Sequence, residues 1–260
     1  MKISLITACY NSAATIRTAI ESVLSQKGVD IEYIIVDGGS KDGTVDIINE
    51  YSARSTRLAF KWISEKDSGM YDAINKGIKM ATGDIVGILN ADDVLATDDT
   101  LAHIAAAFTP ETEALYADIR FVTTGDSVAE LREAKTVRYC SAAKWKPWMF
   151  RFAAMVPHPS FYARRECFER LGYYSLDYRI CSDFELELRF LKLAKLRSTY
   201  LPECVVVMRM GGASTAGWRS NVEINREDLR ALRSHGIWSC LPLIYLKYLF
   251  KVWGFVFRRR

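Results

Sequence analysis

The chain is poor in the residues that define several common protein classes. Its 260 residues hold only three histidines, His103, His158 and His235, with no spacing that suits a zinc site. The six cysteines are scattered, with no CxxC pair and no dense framework. That excludes a disulfide scaffold and leads us to expect free, buried thiols in a reducing cytoplasm. The first apolar run leads into ACYNSAAT and carries no GxGxxG, which disfavours a dinucleotide site, and neither a P-loop nor a GxSxG nucleophile elbow occurs anywhere. A formal net charge of +4, from 35 Lys and Arg against 31 Asp and Glu, is too mild to imply a nucleic-acid partner. The opening MKISLITACY has a short apolar run that enters a polar turn at once, so it reads as a strand and not as a signal peptide.

What the chain does have is half its residues hydrophobic and a regular alternation of short apolar runs with helical patterns. ISLITACY (3–10), IEYIIVD (31–37), FKWISE (60–65) and DIVGILN (84–90) suit buried strands. Between them, Ile16, Ala19, Ile20, Val23 and Leu24 recur at helical spacing, Thr44 opens a second helix, and MYDAINKGIKMA (70–81) is a third. Repeated βαβ units predict an α/β fold, a mostly parallel sheet covered on both faces. The second half is less regular: ALYADIRFVTT and CVVVMRM are strands, and DFELELRFLKLA (183–194) is a helix.

Acidic residues cluster at the carboxyl ends of these strands: Asp37, then Glu65 and Asp67, then Asn90, Asp92 and Asp93. In a parallel sheet those ends share one edge, where open α/β sheets bind ligands. A single carboxylate at such a turn is ordinarily a helix cap. Three clusters on one edge repel one another unless a cation or a donor-rich ligand offsets them. Asp92 and Asp93 are hard oxygen ligands of the kind that hold Mg²⁺ or Mn²⁺ together with substrate phosphates. The VDGGSKDGT stretch (36–44) is no EF-hand, since its glycine is misplaced and the bidentate glutamate is missing.

Taken in order, TACYNSAATIRTAIESVLSQ, IEYIIVDGGSKDGTVDII and ISEKDSGMYDAINKGIKMATGDIVGILNADD resemble the family 2 glycosyltransferases, particularly the subgroup of bacterial O-antigen and capsule assembly. The resemblance spans about residues 3–215. It implies a GT-A fold, a nucleotide-sugar donor with UDP the expected carrier, Mn²⁺ or Mg²⁺, and inversion at the anomeric carbon. By the same resemblance Asp37 receives the nucleotide base with Thr7 and Tyr10 beside it, and Asp67 and Asn75 close over the nucleotide. Asn90-Ala91-Asp92 stands at the family's DxD, with Asp92 on the metal, Asp93 a second ligand or a support, and Asn90 on ribose or phosphate. RICSDFELELRF matches the later acidic motif, which makes Asp183 the base. The plain alternative has Asp183 capping a helix while Glu185 and Glu187 face solvent. His158 of MVPHPSFYARR matches a histidine on the acceptor side, and Trp145 and Trp148 either stack on sugars, meet lipid or form a satellite core. Arg209 and the RMGGAS loop (209–214) stand near the donor phosphates in this reading.

The expected organisation is a catalytic domain over 1–236, its donor half about 1–95 and its acceptor half about 96–236, followed by a helical tail over 237–260. In that tail Lys247, Lys251 and Arg258 fall on one stripe, with Trp253 among the apolar residues. Two lysines in mid-segment argue against a transmembrane span and for a helix lying at an anionic bilayer interface; burial against the catalytic domain is the alternative. The resemblance adds an acceptor glycan on a polyprenyl diphosphate and a place on the cytoplasmic face of the bacterial plasma membrane. The competing reading is a catalytically silent nucleotide-sugar-binding or membrane scaffold subunit.

Overall fold

The computed structural model describes residues 1–56, 58–123, 125–210 and 218–247. The elements of the first half are β1 (Lys2–Cys9), α1 (Ile16–Leu24), β2 (Asp30–Asp37), α2 (Thr44–Arg54), β3 (Ala59–Ser64), α3 (Met70–Met80) and β4 (Ile85–Ile88). Then come β5 (Val94–Leu95), α4 (Thr100–Ala107), β6 (Ala114–Val122), α5 (Val128–Glu133), β7 (Thr136–Cys140), β8 (Tyr162–Arg164) and α6 (Arg165–Leu171). The last are α7 (Ser182–Glu187), β9 (Ser198–Arg209) and α8 (Trp218–Ser234). The expected helix over 183–194 is α7 followed by a π-helical turn, Leu188–Leu193.

A single sheet runs in the order β3-β2-β1-β4-β8-β6-β9-β5, with β7 added beside β6. Its first half is the parallel βαβ sheet that the alternation predicts: β1 pairs in parallel with both β2 and β4, and β2 with β3. The second half is mixed. β8 runs antiparallel to β4 and to β6, while β6 and β9 are parallel. Ile, Leu and Val from β1, β2 and β4 feed two apolar layers, one under α1 and one under α3 and α7. Close packing needs glycine at Gly77 and at Gly87. A Cβ on Gly77 of α3 would lie 2.5 Å from Ile6 Cγ2, and one on Gly87 would lie 2.1 Å from the Tyr162 ring.

The two ends of the parallel strands are chemically unlike. At the amino ends, buried Glu32 accepts from Ser4 Oγ (2.5 Å), Lys61 Nζ (2.6 Å), Thr82 N (2.7 Å) and Thr82 Oγ1 (2.8 Å). This ties β1, β2, β3 and the turn into β4 with one carboxylate. Burial alone would raise the Glu32 pKa; the bonds from Lys61, Ser4 and Thr82 outweigh it and hold it at about 2. The folded value lies below the ordinary 4.5, so the stabilisation is complete above pH 4.5 and is lost as pH falls through 2. Glu32→Gln should therefore cost about 1.5–3 kcal/mol at neutral pH. In chemical denaturation that gap should shrink below pH 4.5, the ordinary value.

Candidate active site

The carboxyl ends of β1, β3 and β4 open, as the parallel register requires, onto one cleft of about 1640 Å³. That exceeds the roughly 300–1,000 Å³ that a single small ligand fills, leaving space for two substrates. Tyr10, Asp67, Asn90 and Asp92 line it from the first half of the chain, and Trp145, His158, Asp183, Ile224 and Asp228 from the second.

Asp37 is not among the lining residues. It is fully buried, and its own loop consumes its carboxylate: Oδ2 accepts from Gly39 N (3.1 Å), Ser40 N (2.9 Å) and Ser64 Oγ (2.7 Å), and Oδ1 from Ser40 Oγ. Burial pulls the Asp37 pKa upward, but these donors bring it below the ordinary value. Its carboxylate thereby holds the VDGGS turn to the end of β3. Thr7 is likewise buried, donating to Leu89 O (2.8 Å) and bonded to Tyr33 Oη (3.0 Å). What lies over this turn is Asp67: a Cβ at Gly38 would fall 2.6 Å from Asp67 Oδ2 and 3.4 Å from Tyr10 Cδ2. Gly38 thus leaves the space that the Asp67 carboxylate fills, beside the exposed Tyr10 ring. Asp67 Oδ1 accepts from Gly69 N (2.9 Å).

Asn75 also leaves the expected set. Its amide donates to Tyr174 O (2.8 Å) and its oxygen accepts from Tyr174 N (2.9 Å), so both groups are used in pinning a loop of the second half to α3. Asp93 is completely buried, with Oδ2 accepting from the Asn90 amide (2.8 Å) and Oδ1 unpartnered. Burial, with the charge of Asp92, raises its pKa well above the carboxylate range. It supports Asn90 from below and does not reach the cleft. Arg209, which also lines the cleft, donates to Asp92 O (2.6 Å), Gly125 O and Thr18 Oγ1 (both 3.0 Å), placing a fixed positive charge near these carboxylates. Asp92 alone of the pair opens to the cleft, and no group of three or more His, Cys, Asp and Glu poised for a metal exists among the described residues. One carboxylate facing space for a diphosphate does fit a Mg²⁺ or Mn²⁺ ion, which takes one or two carboxylates and completes its shell with phosphate and water.

From the second half of the chain, Asp183 lies in the first turn of α7, where Oδ1 accepts from Phe184 N (2.8 Å) and from Tyr71 Oη (3.2 Å). Burial raises its pKa to about 6, with both bonds opposing the rise. Glu227 of α8 holds the approach to α7, accepting from Arg179 N (3.0 Å), Ile180 N and Cys181 N (both 2.9 Å). Tyr71 stacks on Tyr174, ring centroids 5.6 Å apart, and so carries the Asn75 anchor to Asp183. Glu227 and Tyr71 were not legible as site residues, because their roles depend on contacts across 46 and 112 positions. Glu185 and Glu187 do not face solvent. Glu185 bonds Arg189 (2.7 and 2.9 Å) and His235 (2.8 Å), and Glu187 is fully buried with His158 Nδ1 at 3.7 Å. His158 also meets Tyr174 Oη at 3.3 Å. Trp145 is a core residue, packed edge-on against Tyr116 and Phe150 with its indole N–H on Ala154 O (3.0 Å), whereas Trp148 is exposed.

Lys247 departs from the basic stripe expected of it. Residues 241–247 are helical, and Lys247 is buried with Nζ 2.8 Å from Asp228 Oδ2 in the cleft wall. Lys251, Trp253, Arg258 and Gly211–Ser214 of the RMGGAS loop lie outside the described residues.

Sequence comparison agrees with this geometry. Residues 4–172 match Glycosyl transferase family 2. The chain is a family 2 glycosyltransferase. A PGL/p-HBAD biosynthesis glycosyltransferase of Mycobacterium tuberculosis is 30% identical over 233 residues, 88% of this chain and 83% of the relative. A putative glycosyltransferase, EpsH, of Bacillus subtilis is 38% identical over 96 residues, covering 37% of this chain and 27% of its own. Among solved structures, S. aureus TarS 1–349 in complex with UDP-GlcNAc superposes with a TM-score of 0.64 at 18% identity, covering 89% of this chain and 66% of TarS. The mannosyltransferase PcManGT from Pyrobaculum calidifontis, in complex with GDP-Man and Mn²⁺, gives a TM-score of 0.60 at 19% identity, covering 97% and 80%. These likenesses establish the GT-A fold.

Glu187 of this glycosyltransferase gives a stability test. Burial raises its pKa to about 8, with His158 opposing the rise, against an ordinary 4.5. The folded state holds this proton more tightly than the unfolded one, so native stability falls as pH rises from 4.5 to about 8. Glu187→Gln removes that penalty. Its melting temperature should match wild type at pH 4.5 and exceed it by several degrees at pH 8.

Proposed function

We propose that the enzyme is an inverting, divalent-metal-dependent transferase that moves a sugar from a nucleotide-sugar, with UDP the carrier, to a hydroxyl of a lipid-linked glycan in bacterial surface polysaccharide synthesis. The observation that carries this reading is that Asp92 and Asp183 both line one cleft large enough for donor and acceptor. The glycan context is supported by the biosynthetic name of the mycobacterial relative, and the metal by the Mn²⁺ named with PcManGT.

In this mechanism Tyr10 and Asp67 hold the nucleotide, Asp67 accepting a base N–H from its place over Gly38. Asn90 orients ribose or phosphate. Asp92 would hold the ion, whose chemistry is to offset charge on the departing diphosphate. Asp183 takes the proton of the acceptor hydroxyl as its oxygen attacks the anomeric carbon and the bond to the diphosphate breaks, with no covalent sugar-enzyme intermediate. His158 and the exposed Trp148 stand on the acceptor side. The enzyme works at the cytoplasmic face of the plasma membrane.

Nucleotide release from a panel of UDP-, GDP- and dTDP-sugars, with Mn²⁺ or Mg²⁺ and with or without membrane lipid extract, tests the assignment. One donor should turn over. Asp92→Ala and Asp183→Asn should each lower kcat at least about 100-fold, the scale of a lost general base or a lost charge clamp. Asp67→Ala should instead act chiefly on donor KM. With Asp183 needed as carboxylate, kcat/KM should fall as pH drops through about 6, the value to which burial lifts it. Donor binding with no turnover under any condition would support the silent-subunit reading.

A further inference from the structure

We infer that the solvent face of α8 is the surface by which this enzyme docks on an anionic lipid bilayer. The inference deepens the lipid-linked-acceptor reading above and rests on it. Helix α8 has two unlike faces. Ile224 and Asp228 line the cleft, while Arg226, Arg230 and Arg233 recur at i, i+4 and i+7 on the opposite side and are exposed. With Leu229 and Leu241 the three arginines border a shallow groove between α8 and the following helix. One exposed carboxylate, Glu223, stands a turn before Arg226; from Arg226 onward no carboxylate falls in the row. Glu223 and Asp228 line the cleft and Glu227 is occupied by the backbone of 179–181. Among the described residues the three guanidiniums make no ion pair; Arg230 lies over the Tyr178 ring at 5.2 Å and donates to Asp177 O (3.3 Å), which fixes it without neutralising it.

A merely solvated helix face would be expected to mix both signs of charge and to end in polar residues. This one is predominantly basic, Leu241 (36% exposed) borders the same groove, and the chain that follows it also exposes Trp238 (68%) and Tyr245 (44%). Guanidiniums beside interfacial aromatic and aliphatic groups match a surface with anionic headgroups above and acyl chains beneath. The chain then continues in sequence with YLFKVWGFVFRRR (248–260), of the same composition.

Flotation of the full chain with vesicles tests this, comparing phosphatidylcholine alone with an equimolar mixture of phosphatidylcholine and phosphatidylglycerol. Wild type should bind the anionic vesicles only, and less at high salt. Arg226→Gln/Arg233→Gln leaves Arg230 on Tyr178 and should weaken that binding roughly 30-fold, taking each arginine at its usual contribution near an anionic surface. Its melting temperature and its nucleotide release in lipid-free buffer should stay as in wild type. A companion with Arg258, Arg259 and Arg260 changed to Gln separates the tail from α8. Wild-type binding by the α8 variant, loss confined to the companion, equal binding to neutral vesicles, or no vesicle binding by wild type would each overturn the inference. Capture of an acidic protein or a nucleic acid with no vesicle binding would assign the face to a different partner. Nucleotide release, read separately, reports on the transferase reading itself.

Discussion

Everything at the site follows from the parallel pairing of β1 with β2 on one side and β4 on the other. Those registers bring the segments after Cys9, Asp37 and Ile88 to one edge, and β3 adds the segment after Ser64. A slip of one residue would turn buried Ile3, Leu5 and the rest of β1 to the wrong layer, so packing enforces the register. The same packing fixes where the cleft opens. Sequence patterns dominated by Val and Ile therefore decide, before any polar residue is considered, which loops can cooperate in chemistry.

A second constraint is that loops at this edge must satisfy their own polar groups before they can serve a substrate. Asp37 folds the VDGGS turn, Asn75 clasps the backbone of Tyr174, Asp93 steadies Asn90, and Glu227 caps the run into α7. Each is a buried or half-buried polar group whose bonds point into the protein, and each costs free energy if left unpaired. The residues they release toward the cleft are their neighbours: Tyr10, Asp67, Asn90, Asp92 and Asp183. Preorganised polar groups of this kind are how a site keeps its geometry while its substrates change charge.

This division explains what could be read from the residues. The strands, the three helices between them and the edge carrying the chemistry follow from periodicity and punctuation, and the ordered motifs led to the family. Which carboxylate of a motif faces out did not follow. Asp37 and Asp67, or Asp92 and Asp93, are alike in composition, and only the turn geometry separates the member that holds the loop from the member left open. The glycine at position 38 was the available signal, since a residue without a side chain beside Asp37 leaves space for Asp67. Lys247 was misread for a related reason: a stripe on a helical wheel does not reveal Asp228, 19 positions earlier, waiting to pair with it. What the residues do not show of β8 is its antiparallel insertion between β4 and β6, because three residues carry no signal of partner or register.

The central claim is a single displacement in which Asp183 accepts the acceptor's proton and no sugar is ever bonded to the protein. The most direct measurement is the anomeric configuration of the transferred sugar, read by proton NMR of the product formed from a donor of known configuration. The account predicts inversion. A product that retains the donor's configuration would require two displacements, and would contradict the role given to Asp183.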